Sequence, residues 1–432
     1  MTTAIVGLGK IGLPLGVAIA GSGEAVIGLD VSDEVVATIT AGAAPFPGEP
    51  ELEERLQAAL AAGRFRATSS PGDAIPAATT VIIVVPLIVD ADGRPDFRIM
   101  DAATATVGPL LRPGTLVAYE TTLPVGATRQ RFAPRLAELS GLALGEELFV
   151  CHSPERVSSG RVFADLRRYP KLVGGIDAAS EERATAFYAS VLAFDERDDL
   201  ARPNGVWPLG GAEAAEMAKL AETTYRDVNI GFANELARAA EQVGVDVLQI
   251  IEACNSQPFS HIHTPGVAVG GHCIPVYPHL LMGSVPGFRI PDTARQVNLA
   301  MPEHAVAAVD GAIGGGVAGR PVVILGLAYR GGVKEDAFSG TFDVARALLA
   351  RGALVSVHDN LYDDDELEAR GFTPHHLGQP AVAAILQTDD PAYRSLQPAD
   401  LPGIEVVYDG RNVLPADALP GVTIIRLGRA RT

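Results

Sequence analysis

Thr3-Ala4-Ile5-Val6-Gly7-Leu8-Gly9-Lys10-Ile11-Gly12-Leu13-Pro14 is the stretch that decides the fold. Ala4–Val6 reads as a short buried strand, and the residues after Gly12 open a helix. Between them Gly7, Leu8, Gly9, Lys10, Ile11 and Gly12 spell G-x-G-x-x-G. A second strand, Ala25–Leu29, ends directly before Asp30. In that context the glycines permit a tight turn and let the backbone approach a pyrophosphate at a helix N-terminus. Asp30 is positioned to accept hydrogen bonds from both ribose hydroxyls and to repel a 2′-phosphate, so the expected cofactor is NAD rather than NADP.

Working outward, Val81–Val85 and Leu116–Tyr119 are further Val- and Ile-rich runs bounded by Gly, Pro or Asp. Their alternation with helical stretches predicts an α/β fold with a parallel, doubly wound sheet. The middle of the chain differs. Glu213 to Gln242 has almost no helix breakers and predicts one long helix stopped by Gly244, with a second helix over Asp246–Ala253. A Gly-, Pro- and His-rich loop, Pro258–Pro278, follows. After Gly314-Gly315-Gly316 the α/β pattern restarts, with strands at Pro321–Leu325 and Ala353–Val357 around a helix at Thr341–Ala350. This second α/β unit lacks the full glycine fingerprint, which argues against a second dinucleotide and leaves room for a mononucleotide part.

Composition narrows the function classes. The 432 residues carry a formal charge of −18, the wrong sign for a nucleic-acid partner. Val81–Val89 is too short to cross a bilayer and contains Pro86, so no membrane span is expected. No basic, then apolar, leader precedes Ala4, and three scattered cysteines suggest no disulfide framework. Both point to a reducing cytoplasm.

Of those cysteines, Cys151 and Cys254 sit in a strand-like run and a helix and read as packing residues. Cys273 differs. It lies in Gly270-Gly271-His272-Cys273-Ile274-Pro275, where glycines let a ligand approach and a neighbouring cation would stabilise a nucleophilic thiolate. Lys219 and Thr223 are one helical turn apart and share a face. The bland alternative for that lysine is a solvated surface residue. His261 and His263 have an i, i+2 spacing without a carboxylate or thiolate set, so no metal is expected.

These motifs resemble the UDP-glucose/GDP-mannose dehydrogenase family over nearly the whole chain. The resemblance rests on Gly7–Pro14, Glu120–Gly126, Ser153–Arg156 with Gly160-Arg161, Lys171–Gly175, Glu213–Glu235, Gly270–Pro275, Gly326–Arg330 and Tyr408–Arg411. The SPER and RDVNI segments are most similar to the branch acting on UDP-N-acetylhexosamines. The resemblance implies two Rossmann-like domains joined by a long central helix. It divides the chain into an NAD-binding part, 1–205, a helical dimerisation part with the cysteine loop, 206–312, and a UDP-sugar-binding part, 313–432.

It also implies a reaction: a UDP-sugar C6 alcohol goes to the acid through a thiohemiacetal and a thioester on Cys273, using two NAD in a homodimer. Lys219 would stabilise an oxyanion, with Thr223 one turn on, and Thr122 and Glu155 would position or activate water. Glu155, Arg156, Lys219, Gly266, Gly270, Arg330 and Arg411 would contact the UDP-sugar. Pro86 and Thr122 would line the nicotinamide side. The chain departs from the family pattern at Thr223, where Asn is usual, at Tyr277, where Asp is usual, at Leu87, and after Tyr329. It has His261 and His263 where an arginine used across the dimer often stands.

Other readings stay open at this level. UDP-glucose 6-dehydrogenase is one, and a weakly active or non-catalytic nucleotide-sugar binder is another. A two-electron β-hydroxyacid dehydrogenase also has a Rossmann domain and a helical lysine, but needs neither Cys273 nor a C-terminal α/β domain.

Overall fold

The structure, a computed structural model, describes residues 1–90 and 93–429. They form two compact units: Met1–Glu222 with His279–Val285, and Thr223–Pro278 with Pro286–Thr432. The predicted long helix is present as Ala212–Val243, 32 residues, and contributes to both. Gly244 ends it with φ +81°, a conformation open to glycine at no steric cost. Asp246 then caps the helix Val247–Asn255 by accepting the Leu248 amide.

The first unit is built on eight strands: β1 (Thr2–Val6), β2 (Ala25–Leu29), β3 (Phe65–Thr68), β4 (Thr80–Ile83), β5 (Thr115–Tyr119), β6 (Leu148–His152), β7 (Lys171–Gly175) and β8 (Val206–Pro208). Their order is β8-β7-β6-β5-β4-β1-β2-β3. The chain moves outward from β1 in one direction and then jumps to β4 on its other side. That reversal leaves a crevice beyond the carboxyl ends of β1 and β4, the usual ligand position in such sheets. Alternate residues feed two cores. Ile5, Ile82, Leu116 and Val173 bury on one face, and Ala4, Val6, Val81 and Ile83 on the other. A sheet covered on both faces needs continuous apolar strands, which is why these runs were legible in the sequence.

All pairs from β3 to β6 are parallel, but β7 runs antiparallel to β6, with Cys151 opposite Gly175 and His152 opposite Gly174. This reversal matters for the site. It brings the first residue of β7, Lys171, to the edge where the parallel strands present their last residues. Each step forward along β6 is a step back along β7, so Lys171 falls level with Glu155 beyond the ladder.

The second unit holds five parallel strands: β9 (Pro321–Leu325), β10 (Leu354–His358), β11 (Ala383–Leu386), β12 (Val406–Asp409) and β13 (Thr423–Arg426). Their order, β10-β9-β11-β12-β13, again reverses direction beside the first strand. Val322, Ile324 and Ile385 enter one core, and Val323, Leu325 and Leu386 the other. The loop predicted over Pro258–Pro278 is shorter than expected at its end, because a helix starts at Tyr277 and runs to Ser284. No described helix is long and apolar enough to cross a membrane.

Candidate active site

In the first unit the three fingerprint glycines are required for three different reasons. Gly7 has φ +96°, and a side chain there would meet the Val84 carbonyl oxygen at 2.8 Å. A Cβ on Gly12 would fall against the Gly7 carbonyl oxygen. Gly9 has nothing within 4 Å of its missing Cβ, so the backbone there faces open space. The following helix, Gly12–Gly21, has no side-chain cap and no acidic residue in its first turn. An open glycine and an uncapped helix N-terminus fit a pyrophosphate.

Asp30 follows β2 as expected, and its carboxylate also braces the loop. Oδ2 accepts the Leu8 amide at 2.8 Å and Oδ1 the Ser32 amide at 3.0 Å. Leu8 itself is turned into the core. It therefore enters the cofactor loop through its backbone, while Lys10 is exposed and Ile11 partly so. Pro86 lies exposed just past β4. The Thr121 hydroxyl donates to the Val85 carbonyl at 2.6 Å and ties this segment to the loop carrying Thr122. Thr122 is buried. That loop is fastened to the long helix by Glu216, whose carboxylate accepts the amides of Gly126 at 2.5 Å and Thr128 at 2.8 Å. Burial pushes the Glu216 carboxyl up to about 7 against these hydrogen bonds.

Lys219, one turn beyond Glu216, is buried rather than solvated, which removes the bland reading for it. Its Nζ lies 3.4 Å from Glu222 Oε1, and Glu222 Oε2 accepts from Arg156 Nε at 2.9 Å. Glu222 thus links Lys219 to the SPER segment. Next to Arg156, Glu155 Oε2 accepts from Lys171 Nζ at 2.8 Å, and Oε1 accepts the Arg156 amide at 2.7 Å. Lys171 also donates to Glu120 Oε2 at 2.8 Å, and the Tyr188 hydroxyl donates to Glu120 Oε1 at 2.5 Å. The loop beyond, Gly160 to Val162, is held by Glu49, which accepts both of those amides at 2.8 Å.

The first unit therefore brings Glu155, Arg156 and Lys219 into one cluster. Sequence reasoning assigned no role to Lys171, Glu120 or Glu222. The available signal was that each lies inside or beside a quoted motif, Lys171 and Glu120 at the edge of an apolar strand where charge is costly.

The second unit carries Cys273, Thr223, Gly266, Gly270, Arg330 and Arg411. Cys273 is half-buried, and its carbonyl accepts the Tyr277 amide at 2.9 Å. Its loop is clamped along its length. Asn234 Oδ1 accepts the Gly266 amide at 2.9 Å, and the Gly271 amide donates to the Ala337 carbonyl at 2.8 Å. Arg295 Nη1 reaches the Ile274 carbonyl at 3.5 Å, immediately after the cysteine.

The Asn234 and Arg295 clamps share one buried network. Arg295 Nη1 and Asn298 Nδ2 each donate to Asp227 Oδ1 at 2.8 Å, and Asn234 Nδ2 donates to Asn298 Oδ1 at 2.8 Å. Burial raises the Asp227 carboxyl to about 6, against the pull of Arg295 and Asn298. Asp227 and Asn234 stand seven residues apart on the long helix and so share its buried face. Both lie within Glu213–Glu235, where the local pattern does not distinguish them from other polar helix residues.

Gly266 packs directly against the Arg411 guanidinium, leaving no space for a Cβ. Arg411 Nε donates to the Gln387 carbonyl at 2.6 Å. Gly270 and Gly271 pack on Tyr329, and Arg330 is exposed beside the Tyr329 ring, 5.9 Å from its centroid. These residues meet at the carboxyl ends of β9, β11 and β12, the corresponding ligand edge of this sheet. Thr223 is fully buried and accepts from Arg226 at 3.4 Å. His261 and His263 are held through their backbones by Asn229, at 2.6 and 2.8 Å. Among the described residues no three or more His, Cys, Asp or Glu side chains are grouped to hold a metal ion.

Comparison with known proteins matches the chain to one family over three stretches. The UDP-glucose/GDP-mannose dehydrogenase family matches through its NAD binding domain at residues 1–192, its central domain at 213–299 and its UDP binding domain at 323–416. The chain is 33% identical over 426 residues to a UDP-N-acetyl-D-mannosamine dehydrogenase from Pyrococcus horikoshii, covering 96% of each. It is 34% identical over 359 residues to an NDP-N-acetyl-D-galactosaminuronic acid dehydrogenase from Ralstonia solanacearum, covering 81% of this chain and 80% of the relative. The solved structure of UDP-D-ManNAc dehydrogenase from Pyrococcus horikoshii superposes with a TM-score of 0.88 at 31% identity, covering 100% of both chains.

Two expectations follow from the geometry. Gly9→Ala retains a melting temperature near wild type, because the added methyl meets nothing, while NAD affinity measured by calorimetry falls by about tenfold, or about 1.4 kcal/mol. Unchanged affinity would show that Gly9 does not face the cofactor. Asp227→Ala strands the buried Arg295 charge and costs about 3–5 kcal/mol in chemical denaturation. A loss below about 1 kcal/mol, as for an exposed ion pair, would contradict the buried-clamp account.

Proposed function

Because this chain belongs to the UDP-glucose/GDP-mannose dehydrogenase family, we propose that it oxidises the C6 alcohol of a UDP-N-acetylhexosamine to the carboxylate through a thioester on Cys273. The chain is an NAD-dependent UDP-sugar dehydrogenase. The N-acetylated sugar is supported by its relatives: the Pyrococcus and Ralstonia proteins are both named for N-acetylated hexose derivatives. The carrying observation for the covalent route is the clamped loop of Cys273, which holds a half-buried thiol between fixed backbone points.

The residues divide the work as follows. Gly7 to Gly12 with Asp30, Pro86 and Thr122 would hold NAD, which supplies the hydride acceptor for each two-electron step. Gly266, Gly270, Arg330 and Arg411 would hold the UDP-sugar, with the two guanidiniums facing the diphosphate. Lys219 carries the positive charge that stabilises oxygen as it becomes anionic. Its burial makes that charge more effective than a solvated one.

The first two-electron step takes the alcohol to an aldehyde, with loss of a hydride and the hydroxyl proton. Cys273 Sγ then forms a bond to the aldehyde carbon while the carbonyl oxygen takes up a proton, giving a thiohemiacetal that retains a C–H bond. Loss of that hydride and of the hydroxyl proton leaves a thioester. Water, deprotonated by Glu155 and positioned by Thr122, adds to the thioester carbon. Collapse breaks the C–S bond and returns the thiolate. One alcohol, one water and two NAD⁺ become one carboxylate, two NADH and three protons. Thr223, fully buried beside Arg226, supports the lysine face of the long helix in place of the usual Asn.

The proposal includes the three-part division at 205/206 and 312/313, a cytoplasmic setting that keeps Cys273 reduced, and a homodimer. The dimer is supported by apolar side chains left exposed on the second unit's helices: Tyr225 and Phe232 on the long helix, and Ile290 and Leu299 on the helix Arg289–Leu299.

Two measurements test this reading. With a panel of UDP-hexoses, the N-acetylated sugars give the highest kcat/KM and about two NADH per sugar consumed, and Cys273→Ser yields no acid. A ratio near one, or undiminished acid from Cys273→Ser, defeats the thioester route. No NADH from any sugar leaves only a binder. Light scattering gives a dimer mass for the native chain and a monomer mass for Phe232→Glu. A monomeric native chain at micromolar concentration contradicts the dimer.

A further inference from the structure

A water-activating carboxylate must be charged when water arrives, yet burial favours its neutral form. Glu155 faces that conflict, since its side chain is only 10% exposed. The structure resolves it with groups outside the family's assigned machinery. Lys171 Nζ sits between Glu155 Oε2 and Glu120 Oε2, 2.8 Å from each. Glu120 in turn receives the Tyr188 hydroxyl, and the Lys171 ammonium lies 4.9 Å from the Tyr188 ring centroid. Lys171, Glu120 and Tyr188 are all buried. Lys171 contacts Glu155, and Glu120 and Tyr188 stand behind Lys171, so they act through Glu155.

We propose that Lys171 is a positioning residue for the hydrolytic step: anchored from behind by Glu120 and Tyr188, its ammonium keeps the Glu155 carboxylate charged and fixes its orientation. This rests on the reading of Glu155 as the base that takes a proton from water. Oε2 is fixed by Lys171 and Oε1 by the Arg156 amide, and each oxygen keeps a further lone pair with which to accept that proton.

The other groups facing Glu155 are consistent with this division. Lys219, from the long helix, adds to the field favouring its charge. Arg156 directs its guanidinium to Glu222 and to the Pro170 carbonyl. His152, on β6, is held neutral, pushed down to about 3 by burial and then by the Lys171 and Lys219 charges. Burial pushes Glu155 up, but Lys171, the Arg156 amide and Lys219 outweigh it and hold the carboxyl below its ordinary value. Glu120 is deeper, and burial pushes its carboxyl above the ordinary value despite Lys171. Two carboxylates thus share one ammonium, and Glu120 is the more deeply buried of the two.

The test uses the full-length protein labelled with ¹³C at glutamate side-chain carboxyls, titrated by NMR without substrate. The signal missing from Glu155→Gln is assigned to Glu155, and the one missing from Glu120→Gln to Glu120. In the wild-type protein Glu155 is expected to titrate below about 4.3 and Glu120 above it. Lys171→Met raises the Glu155 midpoint by about one to three pH units and moves the acidic limb of kcat with it, while Lys171→Arg returns both toward wild type.

A wild-type Glu155 midpoint at or above about 4.3, or an unmoved midpoint in Lys171→Met, overturns the proposal. Should Lys171→Met fail to fold, the wild-type titration and Lys171→Arg decide it. Failure of the underlying reading looks different: Glu155→Gln would turn over at the wild-type rate while the carboxyl midpoints still obeyed Lys171.

Discussion

Lys171 carries a full charge into a place where it is 4% exposed, and the carboxyl edge of the first sheet is organised around it. A lone buried ammonium costs several kcal/mol, so it must be paired and hydrogen-bonded. Glu120 and Glu155 supply two carboxylates from the ends of two neighbouring strands, and the antiparallel turn of β7 supplies the lysine from its start. Had β7 run parallel to β6, Lys171 would sit at the opposite edge and Glu155 would lose its ammonium partner. The one reversed pair in the sheet is thus the feature from which the Glu155 side of the site follows.

The second unit solves a related problem with different chemistry. A loop rich in glycine gains room for a ligand but loses rigidity, since glycine gives up more conformational entropy on ordering than any other residue. The Cys273 loop recovers definition through backbone clamps from Ala337, Asn234 and Arg295, the last two joined through Asp227 and Asn298. This network places no charge on the thiol itself. It fixes where the thiol is, a prerequisite for attack at a defined carbon. The departures at Thr223 and Tyr277 leave this scaffold intact: Thr223 remains buried, and the Tyr277 amide is bonded to the Cys273 carbonyl.

Much of the fold was legible because parallel sheets covered on both faces require apolar runs, and helices require their absence of breakers. Ala25–Leu29 and Pro321–Leu325 were read with their bounds as found, and the long helix to within a residue at each end. The strands at Phe65–Thr68 and Thr423–Arg426 escaped, because short edge strands mix polar and apolar residues and leave no clear pattern. The start of a helix at Tyr277 was hidden by Pro275 and Pro278, which read as loop signals although proline is tolerated in a first helical turn.

By itself the sequence determined the glycine turn with Asp30, the long helix with Lys219, and the family, because each of these is a local pattern whose residues are close in the chain. Tertiary structure alone decided that Lys219 is buried, that Glu222 links it to Arg156, and that Lys171 lies between Glu120 and Glu155. The physical reason is that a buried charge is tolerated only through partners, and partners 51 residues apart, as Lys171 and Glu120 are, meet only when strand order and direction bring their ends together.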